Sequence, residues 1–269
     1  MIAVFSLTHR RDYLERYLRK RPAFLALVRG MECRLFEKVG LLDEPVLDLG
    51  CGDGYFASTA FSDQLFVGLD PDPGAVFEAR KNGVYRNLII AGQGNFPVRS
   101  NYFRTVIANC VLEHIPDLTL VLQEVHRVLM PRGRFIFGVP SHYFADMLLG
   151  TAILKQLGFR QWAQAYGTWF NRHSLHYHTD SPQVWHRRLS KFGFQVEQWQ
   201  YYLSPSAHRA FDLAHYLSVP RLISKKLTGK WVLFPNPIAY RLFDIWLRPY
   251  YENNTFSRGP YIFFIARKH

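Results

Sequence analysis

Short apolar runs alternate with amphipathic stretches between residues 45 and 140. Continuous apolar runs are typical of buried parallel strands, and parallel neighbours need a crossover that is usually a helix. The alternation therefore predicts an α/β fold built on a Rossmann-like, doubly wound sheet. The predicted strands are Val46–Leu49, Leu65–Leu69, Leu88–Ala91, Thr105–Asn109 and Phe135–Val139, with helices between them at about 55–61, 73–82 and 118–130.

The segments before and after this core carry further elements. Residues 9–38 have apolar positions three and four apart, which predicts a helix that Pro22 divides into two. Later, Ser181 is followed by a proline, which favours a helix that begins there, with Ser181 as its N-cap. The later elements are a helix at Ser181–Phe192 and strands at Phe194–Tyr202 and Tyr261–Arg267.

These patterns divide the chain into three parts. We predict an N-terminal helical segment (1–44), a ligand-binding core (45–140) and a C-terminal half (141–269) that completes the sheet. The C-terminal half also contains two aromatic and basic cap insertions, at about 141–179 and 204–258. Insertions of that length usually carry function.

The charge is concentrated in the C-terminal half. The chain has 269 residues, of which 48% are hydrophobic and 20% charged, a composition that excludes intrinsic disorder. Its net charge is +12, and residues 141–269 hold 16 Lys or Arg against 6 Asp or Glu. All six tryptophans also lie there. A basic, aromatic surface favours anionic small molecules, acidic lipids or nucleic acid, and a solvated basic face without a partner remains an alternative.

The sequence also bears on the compartment. No stretch of eighteen apolar residues is free of charge, and the N-terminus lacks the features of a secretory signal. The three cysteines, Cys33, Cys51 and Cys110, are far apart, which suits a reducing compartment. We therefore expect a cytoplasmic protein.

A glycine-rich loop follows the first predicted strand. The segment 46–56 reads VLDLGCGDGYF, in which an apolar strand runs into alternating glycines and then a helix. Glycine allows a sharp turn and a close approach of a ligand to the main chain, and helix N-termini attract anionic groups. The third glycine of a G-x-G-x-x-G dinucleotide fingerprint is replaced by Tyr55, and no P-loop motif is present.

A carboxylate ends the second predicted strand. Asp70 follows the apolar run Leu65–Leu69, about twenty residues after the loop. At that spacing a carboxylate can accept hydrogen bonds from both hydroxyls of a ribose. The alternative is an exposed acid that starts the turn at 70–74, but the glycine loop at the matching distance favours the ribose role.

These motifs resemble those of the class I S-adenosylmethionine-dependent methyltransferases. The resemblance rests on LDLGCGDG at 47–54, on Asp70, on NCVLEHIPD at 109–117 and on VHRVLMPRGR at 125–134. It covers about residues 45–140 and points to the type 11 domain of ubiquinone and menaquinone C-methyltransferases. It implies a seven-stranded sheet whose last strand is antiparallel, with S-adenosyl-L-methionine as cofactor.

The resemblance also implies which residues hold the cofactor. The loop Gly50, Cys51, Gly52 and Gly54 would hold its methionine part, with Asp48 ordering the loop from below. Asp70 would bind the ribose, Pro71 or Asp72 would border the adenine, and Asn109 would complete the site. The family usually has an acid near Gly92, which this sequence lacks, so backbone groups, Gln93 or Phe96 would contact the adenine instead.

Candidates for acceptor chemistry lie further along the chain. Glu113 and His114, after the fourth strand, are the candidate general bases, although a purely structural role remains open for one of them. The segment 171–179 (NRHSLHYHT) contains three histidines, but its spacing matches neither a closed zinc site nor H-E-x-x-H, so we expect no metal. Relatives carry a His/Tyr-rich segment here, which makes His176 and His178 candidates for the acceptor side.

The sequence therefore predicts an enzyme that transfers a methyl group to a small-molecule or lipid-like, anionic acceptor. The alternatives are a non-catalytic binding module on the same fold, or a methyltransferase for nucleic acid, although no nucleic-acid-binding module is evident. The aromatic and basic insertion at 231–251 either contacts an anionic membrane peripherally or packs the cap against the core. The acceptor, the methylated atom and the oligomeric state do not follow from the sequence.

Overall fold

The structure is a computed structural model of the chain, and it describes residues 12–92, 94–232, 236–251 and 256–269. In these ranges the strands form one sheet of seven, in the order β3-β2-β1-β4-β5-β7-β6. Strands β1 to β5 run parallel, while β7 is antiparallel to both β5 and β6. The strands are β1 (Val46–Leu49), β2 (Leu65–Asp70), β3 (Tyr85–Ile90), β4 (Phe103–Asn109), β5 (Leu129–Pro140), β6 (Phe194–Tyr202) and β7 (Tyr261–Lys268). The predicted Rossmann-like sheet with an antiparallel last strand is confirmed.

Eleven α-helices are present in the described part of the chain. They are α1 (Tyr13–Lys20), α2 (Ala23–Val39), α3 (Tyr55–Ala60), α4 (Pro73–Asn82), α5 (Leu118–Val128), α6 (Leu149–Gln156), α7 (Arg160–His173), α8 (Pro182–Lys191), α9 (Pro205–Leu217), α10 (Val219–Thr228) and α11 (Pro237–Tyr251). Pro22 separates α1 from α2, as predicted. Ser181 accepts a hydrogen bond from the backbone N–H of Val184, which confirms it as the N-cap of α8.

Two strands begin three or more residues before their predicted first residues. β3 begins at Tyr85 rather than Leu88, because it is an edge strand in which Arg86 and Asn87 are exposed to water and interrupt the apolar run. β5 begins at Leu129 instead of Phe135, so it takes the last residues of the predicted helix 118–130. Its first residues include Pro131 and Gly133, which carry no strand signal in sequence.

The sheet is covered on both faces. Val46 of β1 packs in one apolar cluster with α2, whereas its neighbour Leu47 packs in a second cluster with α5. In β5, Ile136 and Phe137 divide between the two clusters in the same way. Side chains of a strand alternate between faces, so two buried clusters are the expected result of a sheet between helical layers.

The two long insertions are helical. The first contains α6 and α7, and the second contains α9, α10 and α11. Helices α9 and α11 pack on α2, so the N-terminal segment and the second insertion share one core. Within the described ranges, no helix combines the length and the apolar character needed to cross a bilayer.

Candidate active site

A cavity of about 340 Å³ opens at the carboxyl ends of the parallel strands. Its wall includes Gly50 after β1, Asp70 at the end of β2, Gly92 after β3, and Val111 and His114 after β4. The chain leaves β1 toward β2 and β3 on one side and returns to β4 on the other side. Ligands of open α/β sheets bind at such a switch point, and the volume is within the range of small-molecule sites.

The glycine loop has the backbone geometry that only glycine adopts readily. Gly50 and Gly52 have φ angles of 72° and 52°. A Cβ on Gly50 would lie 2.4 Å from Val111 Cγ2, so the loop needs a bare backbone there for packing. A Cβ on Gly52 would meet no atom within 4 Å. Space beside a main chain without a side chain is what a closely approaching ligand requires.

Gly54 and Cys51 of the same loop pack against protein atoms instead of open space. Gly54 is the residue that caps α3, and a Cβ there would lie 3.2 Å from Ala79 Cα. The Cys51 side chain is buried, and its backbone N–H donates to the Leu69 carbonyl at 3.1 Å. Both residues therefore shape the loop through packing and backbone hydrogen bonds.

Asp70 is tied to the glycine loop. Its Oδ2 accepts a hydrogen bond from the Gly52 N–H at 2.8 Å, and its Oδ1 accepts one from the Asp72 N–H at 2.9 Å. A carboxylate offers about four acceptor positions, so both oxygens can still bind hydroxyls. The acid thus lines the cavity in a fixed orientation.

Asp48 lies below the loop, on the buried strand β1. It is only 3% exposed, and its Oδ2 accepts a hydrogen bond from the Tyr85 hydroxyl at 2.5 Å. Burial raises the pKa of Asp48 to about 7, although the Tyr85 hydrogen bond acts in the opposite direction. Its carboxyl group is therefore held against β3 rather than offered to the cavity.

The side of the cavity beyond β2 is apolar. Phe96 and Pro71 line it together with Ala91 and Gly92. A Cβ on Gly92 would lie 2.9 Å from Pro71 Cβ, so the backbone comes close to the proline ring there. Gln93 lies outside the described residues. This wall offers apolar contacts and main-chain groups to a flat ring.

The cavity fits S-adenosyl-L-methionine in its chemistry. It combines the main chain of Gly50, a carboxylate at Asp70 and an apolar wall at Phe96, and Gly52, two residues further along the loop, leaves open space beside its main chain. Those three features match a charged amino-acid end, a ribose and a purine, respectively.

A second group of polar residues lies beyond β4. Glu32 of α2 is fully buried and accepts hydrogen bonds from Arg29 Nη1 at 2.7 Å and from the Tyr202 hydroxyl at 2.9 Å. The Asn109 side-chain amide also donates to Glu32, at 2.5 Å. Asn109 therefore lies with this group and is not part of the cavity wall described above.

Glu113, His114 and His176 lie close together beside the buried group around Glu32. Their side-chain ligand atoms lie within 4.8 Å of one another, close enough to hold a cation, and His114 also lines the cavity. Arg29 acts electrostatically on all three. We call Arg29, Glu32, Glu113, His114 and His176 the polar cluster. The prediction of no metal was based only on the spacing of the histidines at 173–178. In the structure the three possible ligands come from two segments of the chain, because Glu113 and His114 lie next to His176.

Burial controls the protonation of this cluster. Burial raises the pKa of Glu113 to about 8, and it lowers the pKa of His176 to about 3. It also lowers the pKa of His114. Among the described residues, Glu113 Oε2 and His176 Nδ1 have no hydrogen-bond partner although they are buried. Unpaired buried polar atoms are costly, so their presence beside a cavity points to a ligand.

His178 has a different position from His176. Its Nε2 lies 2.9 Å from the Ile115 carbonyl, and its Nδ1 lies 3.7 Å from Asp180 Oδ2. A ring nitrogen can only donate to a carbonyl, so Nε2 carries a proton. His178 therefore fastens the 174–180 segment to the loop after β4, and the structure does not bring its ring into the cavity.

Sequence reasoning missed Arg29, Glu32 and Tyr202. Two of them gave a signal in the sequence: Arg29 and Glu32, three residues apart, follow directly on the six apolar residues that begin α2. Buried charged residues on a core-facing helix are rare unless they are paired. Tyr202 gave no such signal, because an aromatic residue at the end of a strand is ordinary.

Comparisons with known proteins agree with this geometry. A family profile described as a methyltransferase domain matches residues 9–199, more than half of the chain. The chain therefore belongs to the class I S-adenosylmethionine-dependent methyltransferases, and its cofactor is S-adenosyl-L-methionine.

Individual relatives cover parts of the chain. An arsenite methyltransferase of Halobacterium salinarum is 34% identical over 101 residues, which cover 34% of this chain and 26% of that protein. The uncharacterized methyltransferase YodH of Bacillus subtilis is 32% identical over 160 residues, covering 57% of this chain and 60% of YodH. The chain thus matches less than two thirds of the length of either relative.

Solved structures share the fold. A crystal structure from Thermotoga maritima, described as a possible histamine N-methyltransferase, superposes with a TM-score of 0.54. It is 16% identical, and the alignment covers 94% of this chain and 93% of that chain. At that identity the likeness supports the fold alone.

Proposed function

We propose that the chain is an active methyltransferase for a small-molecule or lipid-like acceptor that carries an anionic group. The observation that carries this proposal is the position of His114. Its side chain belongs both to the wall of the cofactor cavity and to the polar cluster. An acceptor bound at the cluster would therefore lie directly beside the methyl donor.

For the methyl donor, the main task of the protein is to hold S-adenosyl-L-methionine in line with the acceptor. S-adenosyl-L-methionine supplies an electrophilic methyl group that an aligned nucleophile attacks. In our proposal Gly50 and Gly52 present bare main chain to its amino-acid end, Asp70 binds the ribose, and Phe96 packs on the adenine. Holding donor and acceptor in line can contribute about 7–11 kcal/mol to lowering the barrier.

His114 is the proposed proton acceptor. Its Nδ1 lies 3.2 Å from the Leu175 carbonyl, which requires a proton on Nδ1 and leaves Nε2 as an acceptor. The lowered pKa keeps the ring neutral near pH 7. Glu113 Oε1 lies 3.8 Å from Nε2, and because the pKa of this carboxyl group is about 8, it becomes a carboxylate that stabilises the imidazolium only as the pH rises toward that value. A proton transfer of this kind contributes roughly 10²–10⁴-fold to the rate.

Arg29 is the proposed binding group for an anionic acceptor. Its hydrogen bond to Glu32 uses Nη1, whereas a guanidinium has five donor hydrogens. The fork of a guanidinium matches the geometry of carboxylate or phosphate. The net positive charge of residues 141–269 supports the same preference.

The experiment is a methyl-transfer screen with S-adenosylmethionine that carries a labelled methyl group. The wild-type chain is incubated separately with a small-molecule extract and a lipid extract, and labelled products are identified. We then compare Glu113→Gln, His114→Gln and the control His126→Gln. His126 lies on α5 beside Phe194 and belongs to no part of the polar cluster.

Each outcome separates the alternatives. Labelled product that falls about 10²-fold in His114→Gln but not in His126→Gln supports the proposal. Cofactor binding without any product favours a non-catalytic module. If a chelator abolishes the activity and a divalent cation restores it, the proposed proton transfer by His114 is wrong. Glu113, His114 and His176 would then hold a catalytic cation.

A further inference from the structure

The second insertion exposes two apolar stripes. On α10, the side chains of Val219, Ile223 and Leu227 recur at four-residue intervals and are exposed, Leu227 by 77%. On α11, Ile238, Leu242 and Ile245 form a similar stripe, with Ile238 exposed by 73%. Residues at such spacing share one face of a helix. We call these six residues the α10–α11 face.

The two helices are neighbours. The Arg221 guanidinium of α10 lies 5.6 Å from the centre of the Tyr240 ring of α11. Arg221 also donates to the Arg21 carbonyl at 2.6 Å, which fastens α10 to the end of α1. The opposite side of α11 is anchored by Leu247 and Tyr251, both buried. The stripes are therefore held outward by packing on the other side of the same elements.

The surroundings of the face are strongly basic. Residues 204–250 contain seven Lys or Arg and only two acids, Asp212 and Asp244. Asp212 is buried and accepts the Tyr166 hydroxyl and the Gly150 N–H. Asp244 is paired with Arg248. Asp212 is thus buried away from the surface and Asp244 is ion-paired, while Lys226 and Lys230 are exposed beside the face.

We propose that the α10–α11 face docks on the surface of an anionic lipid bilayer. Aliphatic stripes flanked by lysines, on helices that lie along the surface, are the composition of interfacial membrane helices. The lysines around the stripes attract anionic lipid headgroups. An apolar groove on a protein partner would offer these lysines no opposite charge. Trp231, within 5.8 Å of the Lys225 ammonium, adds the type of aromatic side chain that prefers the interface.

Helix α9 connects this face with the polar cluster. Near its start, the His208 ring lies 4.6 Å from the Phe144 ring, which in turn lies 4.8 Å from the ring of His176. Its end, Leu217, leads directly into α10. The helical rise places these two points about 14 Å apart along α9. In combination with the proposed function, docking would hold the polar cluster close to the bilayer that contains an amphiphilic acceptor.

The test is flotation of the full chain with vesicles. One set is made of phosphatidylcholine and phosphatidylglycerol, and the other of phosphatidylcholine alone, each at low and high salt. The variants are Ile223→Ser with Leu242→Ser, and Lys226→Gln with Lys230→Gln. The matched controls are Leu41→Ser with Leu120→Ser, and Lys38→Gln with Lys191→Gln, which change exposed side chains outside the face.

We expect binding to the phosphatidylglycerol vesicles that is lost at high salt. Both face variants should weaken it by about tenfold or more, and both controls should leave it unchanged. The proposal is overturned by absence of binding at low salt or by face variants that bind like the wild type. It is also overturned if analytical ultracentrifugation shows that the wild-type chain is a dimer and that the double variant Ile223→Ser, Leu242→Ser is a monomer. Calorimetry with S-adenosylmethionine tests the proposed function separately, because vesicle binding needs no cofactor.

Discussion

The Gly52 backbone N–H donates a hydrogen bond to the Asp70 carboxylate at 2.8 Å, so the glycine loop after β1 and the acid at the end of β2 form one unit. Asp70 thus has two functions in our account. It orients the loop, and its remaining lone pairs are available for the ribose.

Replacement of Asp70 by alanine should weaken cofactor binding. Hydrogen bonds to a charged group contribute about 1.5–3 kcal/mol each, so we expect the affinity for S-adenosylmethionine to fall at least about tenfold. Asp70→Asn should lose less, because its amide oxygen can still accept the Gly52 N–H. Isothermal titration calorimetry measures both. The control is Asp63→Ala, just before the opposite end of β2, and an equal loss there would contradict the assignment.

Gly50→Ala and Gly52→Ala should have different consequences. The left-handed backbone costs either alanine about 1–2 kcal/mol. At Gly50 the new methyl group would also clash with Val111, so we expect a larger loss of stability. At Gly52 the space is open, so the fold should survive while the cofactor binds more weakly. Thermal unfolding and calorimetry separate the two effects, and equal melting temperatures would argue against the Val111 contact.

The protonation of Glu113 should make stability fall as the pH rises. Burial raises its pKa from 4.5 to about 8. Between these values the unfolded chain has released the proton and the folded chain still holds it, so the free energy of unfolding decreases with increasing pH. The loss is on the order of a few kcal/mol across the window. Asp48, with a pKa of about 7, acts in the same direction.

Glu113→Gln isolates the contribution of this carboxyl group. The amide does not titrate, so the difference in stability between pH 5 and pH 8 should be smaller in the variant than in the wild type. Urea denaturation at both pH values provides the measurement. Identical pH dependence in the two proteins would mean that Glu113 ionises normally.

His208 should make the fold sensitive to acid. Burial lowers its pKa from 6.5 to about 3. Below pH 6.5 the unfolded chain binds a proton that the folded chain does not, so stability is lost as the pH falls toward 3. His208→Gln can keep a hydrogen bond to the Phe144 carbonyl and should show a weaker dependence between pH 6.5 and 4, in urea denaturation. His186→Gln, at a partly exposed position, serves as the control and should retain the wild-type slope.

The sequence predicted those parts of the site that are contiguous or regularly spaced. The glycine loop follows β1 directly, and Asp70 ends the next strand, so the strand pattern alone brings them together. The polar cluster is different, because Glu32 meets Asn109 over a separation of 77 residues and Tyr202 over 170. Only the packing of α2 across the sheet creates these contacts. The role of His178 likewise depends on the Ile115 carbonyl, 63 residues away.

In the proposed site the methyl donor lies against the bare main chain of the glycine loop, with its ribose on Asp70. A crystal structure of the chain with S-adenosylhomocysteine tests it most directly. We predict both ribose hydroxyls within hydrogen-bond distance of the Asp70 carboxylate and the homocysteine part against Gly50 and Gly52. A ligand bound elsewhere, or an Asp70 side chain that points to solvent while the ligand is bound, would contradict the account.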